Sequence, residues 1–489
     1  MSELRTLLQQ SSHYLGGRIA IMAAGVVSFP ILTRLFAVGD YGLLGIITTT
    51  VFIASAVTKM GFPSASVRFY SEYDAQKRVG ALYSTIFFTS VPVALALAVV
   101  ISVAAVALGK TEGWDRNAVI LVLVAAVLIV LRSTNDNLTS FLRAEQRTKL
   151  YNAITAISRY ASLAAGIFFV VVMMKGLKGF LFGQVLVSFL MLGVLLFLSR
   201  PGTLLRWKHF SKATLRDSLN FGLPLIGAEL GILVLNYADR YLIHYYLGSV
   251  PLGLYTAGYN LGTYVTDVVV QPINYAMVPI YMGILVNKGE EETRRFLTKT
   301  FRIFVLLIFP VMFGFIAVGK DLLVVLASDK YVGAAPVLSY VVLGQVMHAS
   351  TLILNTGLFI RKKTHVVTAA TIFACVANVA LNVFLIPRYG IVGAAQATLV
   401  SYGLFAIVIT YYSFKQFSFE IDFPAITVYL AVSGVMLLTI RNIHVGGHVA
   451  TLISQVGTGV MLYSSLIFLL DREIRQAVLS LRKNAGSLT

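Results

Sequence analysis

Residues 141–149 read Phe-Leu-Arg-Ala-Glu-Gln-Arg-Thr-Lys, and residues 360–365 read Ile-Arg-Lys-Lys-Thr-His. Each basic turn closes one long apolar stretch and opens another. The stretch after the first turn leads to Gly176-Leu177-Lys178-Gly179, and the stretch after the second leads to Gly390-Ile391-Val392-Gly393. Thr148 and Thr364 lie 216 residues apart, and Gly179 and Gly393 lie 214 apart. A third pair, Asp40-Tyr41-Gly42-Leu43 and Pro251-Leu252-Gly253-Leu254, is offset by 211. Three matches in the same order predict two copies of a six-helix bundle. Six is even, so the copies share one orientation about an axis along the membrane normal. That is a transporter architecture, with the substrate path between the lobes.

The rest of the chain agrees. Of its 489 residues, 57% are hydrophobic and only 12% charged, and the mean hydropathy is +0.82. A soluble domain carries about 25% charged residues, so an ordinary soluble enzyme, a disordered protein and a nucleic-acid binder are all excluded. A spanning helix needs roughly 20 mostly apolar residues. Fourteen segments qualify: 11–37, 41–59, 80–108, 117–141, 150–174, 178–199, 219–247, 251–283, 300–327, 333–360, 365–386, 390–413, 424–440 and 448–470. The expected fold is therefore an all-α integral membrane protein. It has an N-terminal lobe over 1–205, a C-terminal lobe over 206–416, and two accessory helices with a tail over 417–489. The first segment follows a polar start and contains Arg18, which reads as a retained helix rather than a cleaved signal.

The net charge is +18. With both ends cytoplasmic, 26 of the 39 lysines and arginines, Lys59 and Arg68 among them, fall in inside segments and 8 in outside loops. The positive-inside rule thus places both termini in the cytoplasm. The single cysteine, Cys375, excludes an internal disulfide and a cysteine-based zinc site. No HExxH or GxSxG motif occurs, and Gly109-Lys110-Thr111 lacks the upstream glycine of a phosphate-binding loop. No cofactor, metal or catalytic residue is expected.

Charges inside apolar spans are costly, at least ~2.5–3.5 kcal/mol each at the bilayer centre, and mark sites. Arg18, Arg132 and Arg159 fall in the first lobe. Their guanidinium forks suit phosphate or pyrophosphate oxygens. Arg132 and Asp136 are four apart and can share a helix face. In the second lobe Asn260, Tyr264, Asp267 and Gln271 are spaced 0, 4, 7 and 11, a single helical stripe. Asn378 and Asn382 extend a similar stripe, Thr371 to Asn382. These stripes are expected to face protein or a polar cavity. Asp267, Glu229 and Asp136 are candidates for binding a coupling H+ or Na+. Asp239-Arg240 reads as a structural charge pair. Pro30, Pro224, Pro272, Pro279 and Pro310 lie within spans and are expected to kink them.

Several short motifs follow one another along the chain. They are Leu32-Thr33-Arg34-Leu35-Phe36, Gly39-Asp40-Tyr41-Gly42-Leu43, Gly61-Phe62-Pro63 and Val67-Arg68-Phe69. Later come Phe221-Gly222-Leu223-Pro224-Leu225, Asp239-Arg240-Tyr241-Leu242-Ile243 and Leu252-Gly253-Leu254-Tyr255. In this order the chain resembles the polysaccharide-transport flippases, of the O-antigen flippase (Wzx) type, in the multidrug/oligosaccharidyl-lipid/polysaccharide (MOP) exporter superfamily. The resemblance implies a bacterial inner-membrane flippase, working by alternating access. Its implied substrate is an undecaprenyl-pyrophosphate-linked oligosaccharide, and polysaccharide polymerase machinery and membrane lipids are its implied partners. Cationic central cavities are usual in such proteins, and Arg18 and Arg132 fit that pattern. Arg34, Asp40, Gly42, Arg68, Asp239 and Arg240 match as signatures and read as structural or gating. The competing reading is a cation-coupled multidrug exporter of the same superfamily, against which the three intramembrane arginines argue. A membrane polymerase or ligase would need a large outer loop, and every outer loop here is short.

Overall fold

The computed structural model describes residues 22–111, 116–173, 175–199, 204–476 and 479–480. Among them the chain is almost entirely helical. In lipid a helix satisfies its own backbone, which open strands cannot do. The helices are α1 (Met22–Leu35), α2 (Val38–Lys59), α3 (Phe62–Ala75), α4 (Val79–Thr111), α5 (Arg116–Ala144), α6 (Thr148–Val171) and α7 (Gly176–Leu198). They continue as α8 (Lys212–Leu247), α9 (Ser249–Val265), α10 (Gln271–Leu326), α11 (Ala335–Leu354) and α12 (Thr356–Ile360). Last come α13 (Thr364–Gln416), α14 (Phe423–Ile440) and α15 (His448–Leu470). Eleven described stretches are long and apolar enough to cross a membrane. Two of them, α10 and α13, are broken at Gly289 (φ 83°) and Gly390 (φ 59°). Counting both halves of each, and α1, gives the fourteen segments read from the sequence. The protein is an all-α, multi-pass membrane protein.

The repeat is written in the backbone. Gln146 and Lys362, 216 apart, are both left-handed, with φ of 57° and 56°. Each sits in the same helix-ending turn. The Arg147 N–H donates to Leu142 O at 2.9 Å, and the Lys363 N–H donates to Leu358 O at 2.8 Å. That six-to-one bond satisfies a carbonyl the helix end leaves open. Gly176 and Gly390 are likewise left-handed, at φ 55° and 59°, a conformation glycine adopts without penalty. Lys77 and Gly289, 212 apart, are left-handed too. The helices that follow the first motif pair start at Val38 and Ser249, again 211 apart.

The helix of the second segment ends at Lys59, as read from the sequence. The chain turns left-handed at Met60 and Gly61, then restarts at Phe62 with Pro63 in the first helical turn, and α2–α3 form one stretch, Val38–Ala75. Lys59 is thus the last residue of α2, and Arg68 lies on α3, a polar helix that starts straight after the turn. One expectation is corrected. The stripe Asn260–Gln271 is interrupted. Residues Thr266–Val270 form a π turn, closed by the Gln271 N–H bonding Thr266 O five residues back. Pro272 follows at once and lacks an N–H, which the widened turn accommodates. The wider turn changes the helical register, so Gln271 does not continue the face of Asn260 and Tyr264.

The chain divides into two compact units, Met1–Tyr237 and Ala238–Thr489. In the first unit, Phe62, Leu82, Tyr83, Ile86, Leu138 and Phe141 form a core joining α3, α4 and α5. Tyr83 stacks on Phe141 at 3.7 Å and donates its hydroxyl to Glu145. In the second unit, α14 and α15 are fastened to α10 along its length. Arg302 on α10 meets Asp471 at 2.8 Å, Asp422 at 3.3 Å, the Tyr429 hydroxyl at 3.1 Å, and Glu473. Tyr429 donates to Asp471 at 2.5 Å. One α10 turn further on, Tyr463 donates to Leu306 O at 2.7 Å, and near the far end His448 meets Asp321 at 2.6 Å.

Candidate functional site

Lys59, Arg132, Asp136 and Glu229 of the first unit come together where α2, α5 and α8 meet. Phe52 and Lys59 are seven apart on α2, and so lie on one face. Arg132 and Asp136 are one turn apart on α5. The Arg132 guanidinium lies 4.0 Å from the centroid of the Phe52 ring, and Phe52 stacks on Tyr237 of α8 at 6.5 Å. A cation over an aromatic face gains ~0.5–2 kcal/mol, most when desolvated. Phe52 thereby offsets part of the cost of a charge in a span while leaving the guanidinium edge for oxygens. Arg159 on α6 is exposed and close enough to act on Arg132 through its charge.

Asp136 acts on Arg132 through its charge, as the spacing on α5 predicts, but its ion pair is with another helix. Its carboxylate meets the Lys59 ammonium at 3.5 Å, and the same ammonium meets Glu229 of α8 at 3.4 Å. The sequence reading counted Lys59 among the inside basic residues and gave it no part in the site. Nothing in the sequence pointed to Phe52 or Tyr237 as partners of Arg132.

The first part of α8 follows α2 and α3 in antiparallel order. Tyr73 donates to Thr214 at 3.0 Å, Phe69 packs edge-on to Phe221 at 5.7 Å, and Lys59 reaches Glu229. Between them Gly222 approaches the Gly61 turn so closely that a Cβ on it would stand 2.7 Å from Met60 O. The sequence motifs 61–63, 67–69 and 221–225 thus meet one another.

In the second unit Asp239 and Arg240 are both buried. Tyr255 donates its hydroxyl to Asp239, with Thr398 beside them. Arg240 lies 5.5 Å from the Tyr259 ring and donates to Asn260 at 3.4 Å. The motifs 239–243 and 252–255 therefore also meet. Asn378 and Asn382 are fully buried, and the Asn382 amide donates to the Asn378 side-chain oxygen at 3.0 Å. Tyr264 and Gln271 are partly buried. Arg18 and the side chain of Asp267 lie outside the described residues. Among the described residues no three His, Cys, Asp or Glu side chains come together as metal ligands.

The sequence matches the family described as polysaccharide biosynthesis protein over residues 31–336, and that of the lipid II flippase MurJ over residues 281–470. A probable low-salt glycan biosynthesis flippase, Agl15, of Haloferax volcanii is 22% identical over 301 residues, which cover 60% of this chain and 62% of that protein. The chain thus matches less than two thirds of that relative's length. The succinoglycan biosynthesis transport protein ExoT of Rhizobium meliloti is 23% identical over 94% of this chain and 92% of its own length. The solved structure of the lipid II flippase MurJ in an inward-closed conformation has the same fold. Its TM-score is 0.75 at 15% identity, over 96% of this chain and 99% of that one. With well over half its length matched, the chain belongs to the polysaccharide biosynthesis protein family.

Proposed function

We propose that this protein is a flippase for undecaprenyl-pyrophosphate-linked oligosaccharide repeat units in a bacterial inner membrane. It carries them from the cytoplasmic to the outer leaflet, with both of its own termini cytoplasmic, for surface polysaccharide synthesis. The observation that carries this reading is Arg132, held over Phe52 with Arg159 near it, within the spans of a polysaccharide biosynthesis protein. A guanidinium oriented by an aromatic face suits a pyrophosphate, whose charge is the common feature of such lipids whatever their sugars. Relatives named as glycan or lipid II flippases, or as a polysaccharide transport protein, support the substrate class. Residues 1–205 and 206–416 would be the alternating lobes, and 417–489 the accessory part. The turns repeated at offsets of 211–216 support that division.

A drug exporter would present carboxylates to cationic drugs. Here Asp136 and Glu229 share the Lys59 ammonium, and Arg132 and Arg159 add two cations to the same unit, which supports an anionic substrate over a cationic drug. Asp136 and Glu229 stay candidates for a coupling ion, with Lys59 as the cation such an ion would have to displace. Asp239 is a further candidate: a buried carboxylate with the hydroxyls of Tyr255 and Thr398 and the charge of Arg240 around it. Asp239→Asn is expected to bind undecaprenyl pyrophosphate like the unaltered protein, yet to lose any acceleration of transport by a pH or Na+ gradient. An unchanged gradient response would remove Asp239 from coupling.

The function itself is tested in the native host. Depletion of the protein is expected to raise cellular lipid-linked repeat units several-fold by mass spectrometry while surface polysaccharide falls. Unchanged levels, with new sensitivity to cationic drugs, would favour the exporter instead.

A further inference from the structure

Lys59 holds two carboxylates from two other helices, Asp136 at 3.5 Å and Glu229 at 3.4 Å. Its own side chain is 19% exposed, while the acids are 41% and 46% exposed. One cation against two acids leaves the triad with a net negative charge. Arg132 sits one turn from Asp136 on α5, and its cation–π partner Phe52 sits two turns, ~10 Å, from Lys59 on α2. The ammonium and the guanidinium therefore line the same seam between α2 and α5. A structural salt bridge would need only one acid. Two acids around one lysine, beside an arginine that rests on a ring, make an arrangement in which the lysine can change partners.

We propose that Lys59 is a further phosphate-binding residue, kept in reserve by Asp136 and Glu229. It is handed over when a pyrophosphate headgroup docks at Arg132. The proposal rests on the flippase reading above and adds the way the site lets its ligand go. Pyrophosphate draws the ammonium away from the carboxylates, and the two uncovered acids then repel the ligand that displaced them. The acids lower the affinity that Arg132, Arg159 and Lys59 would otherwise reach together. A transporter needs this, because a headgroup bound by three uncompensated cations would leave slowly. Binding energy spent equally on every state of the cycle does not speed transport.

The test measures binding of undecaprenyl pyrophosphate, the lipid without sugars, to the full-length protein in nanodiscs at fixed ionic strength. Asp136→Asn and Glu229→Gln are each expected to tighten binding about threefold, the upper range for partly exposed ion pairs. The double variant is expected to tighten it roughly tenfold and to slow dissociation and transport turnover. Lys59→Gln is expected to weaken binding by about tenfold, since it also leaves the two acids uncompensated, and Lys59→Arg is expected to restore most of it. A merely structural Lys59 would give acid variants of lower thermal stability with unchanged or weaker binding, and that result would overturn the proposal. If the double variant does not fold, the two single variants decide. Failure of the flippase reading looks different. In that case the unaltered protein does not bind the probe, or Arg132→Ala binds it equally well, whatever the acids do.

Discussion

Arg132→Ala is expected to abolish lipid-linked oligosaccharide transport while the protein still inserts and folds. The Arg132 guanidinium combines a plane with several donors, and Phe52 sets that plane. A hydrogen bond to a charged group contributes ~1.5–3 kcal/mol, which corresponds to roughly ten- to hundredfold in affinity for the pyrophosphate. Arg132→Lys keeps the charge but loses the fork and the flat stacking on the ring, so it is expected to fall between the two. Phe52→Leu should act in the same direction and more weakly, by freeing the guanidinium from its ring. Measuring affinity for undecaprenyl pyrophosphate beside transport rate separates these outcomes. The sequence reading expects the same loss for Arg18→Ala, which lies outside the described residues. Unaltered transport in both alanine variants would end the phosphate-cradle account.

The second large effect is expected at the clasp between α10 and the last two helices. Arg302→Met removes one cation from three carboxylates and the Tyr429 hydroxyl. Asp471 decides the cost, because its side chain is only 4% exposed whereas Glu473 is 74% exposed. Breaking a buried pair by removing one partner costs ~3–5 kcal/mol. The partial exposure of Arg302 puts the expectation at the lower end, about 3 kcal/mol. The variant should lose α14 and α15 first, so limited proteolysis between Gln416 and Phe423 should precede global unfolding. The clasp also carries a pH dependence. Burial pushes the Asp471 carboxyl up, but the hydrogen bonds from Tyr429 and Arg302 outweigh it and hold the group below the ordinary aspartate value of 3.8. A carboxyl held low contributes stability that is complete above that ordinary value and is lost as pH falls through the lowered one. The protease resistance of the clasp is therefore expected to be constant from pH 8 to about 5 and to decline below about 4. In Arg302→Met that decline should be much reduced. A variant as resistant as the unaltered chain would show that the clasp does not hold these helices.

The fold was legible in the sequence because membrane helices are specified by long apolar runs and because the repeat keeps its turns. Gln146 and Lys362 share no side-chain identity, yet the same basic turn surrounds both, and the backbone repeats to within a degree in φ. What escaped was local. Lys59 reads as a loop cation because it ends an apolar run, and a single sequence does not show that it reaches Asp136 and Glu229 on two other helices. The π turn at Thr266–Val270 escaped because a helical wheel assumes constant pitch, although Pro272 marks where that pitch should fail. The site was legible in part. Arg132 stood out as a charge in an apolar segment. Spacing on α5 offered it Asp136, whose charge does act on it, but contacts across helices added Lys59 to that acid and an aromatic ring to Arg132. Partners across helices are set by packing, and a single sequence carries little of that information. Asp239, Arg240 and Tyr255 drew attention as signatures, and their meeting in one buried cluster explains why those residue types occur together.

The central claim is transport of a pyrophosphate-linked oligosaccharide across the bilayer. It is tested most directly with purified protein in liposomes carrying a short undecaprenyl-pyrophosphate oligosaccharide in one leaflet. An impermeant sugar-modifying enzyme outside the vesicles reads how much substrate reaches the outer leaflet. Rapid, protein-dependent modification of the protected fraction is expected, and it is lost with Arg132→Ala. Modification no faster than in protein-free liposomes, with gradient-driven uptake of a cationic dye by the same vesicles, would contradict the claim.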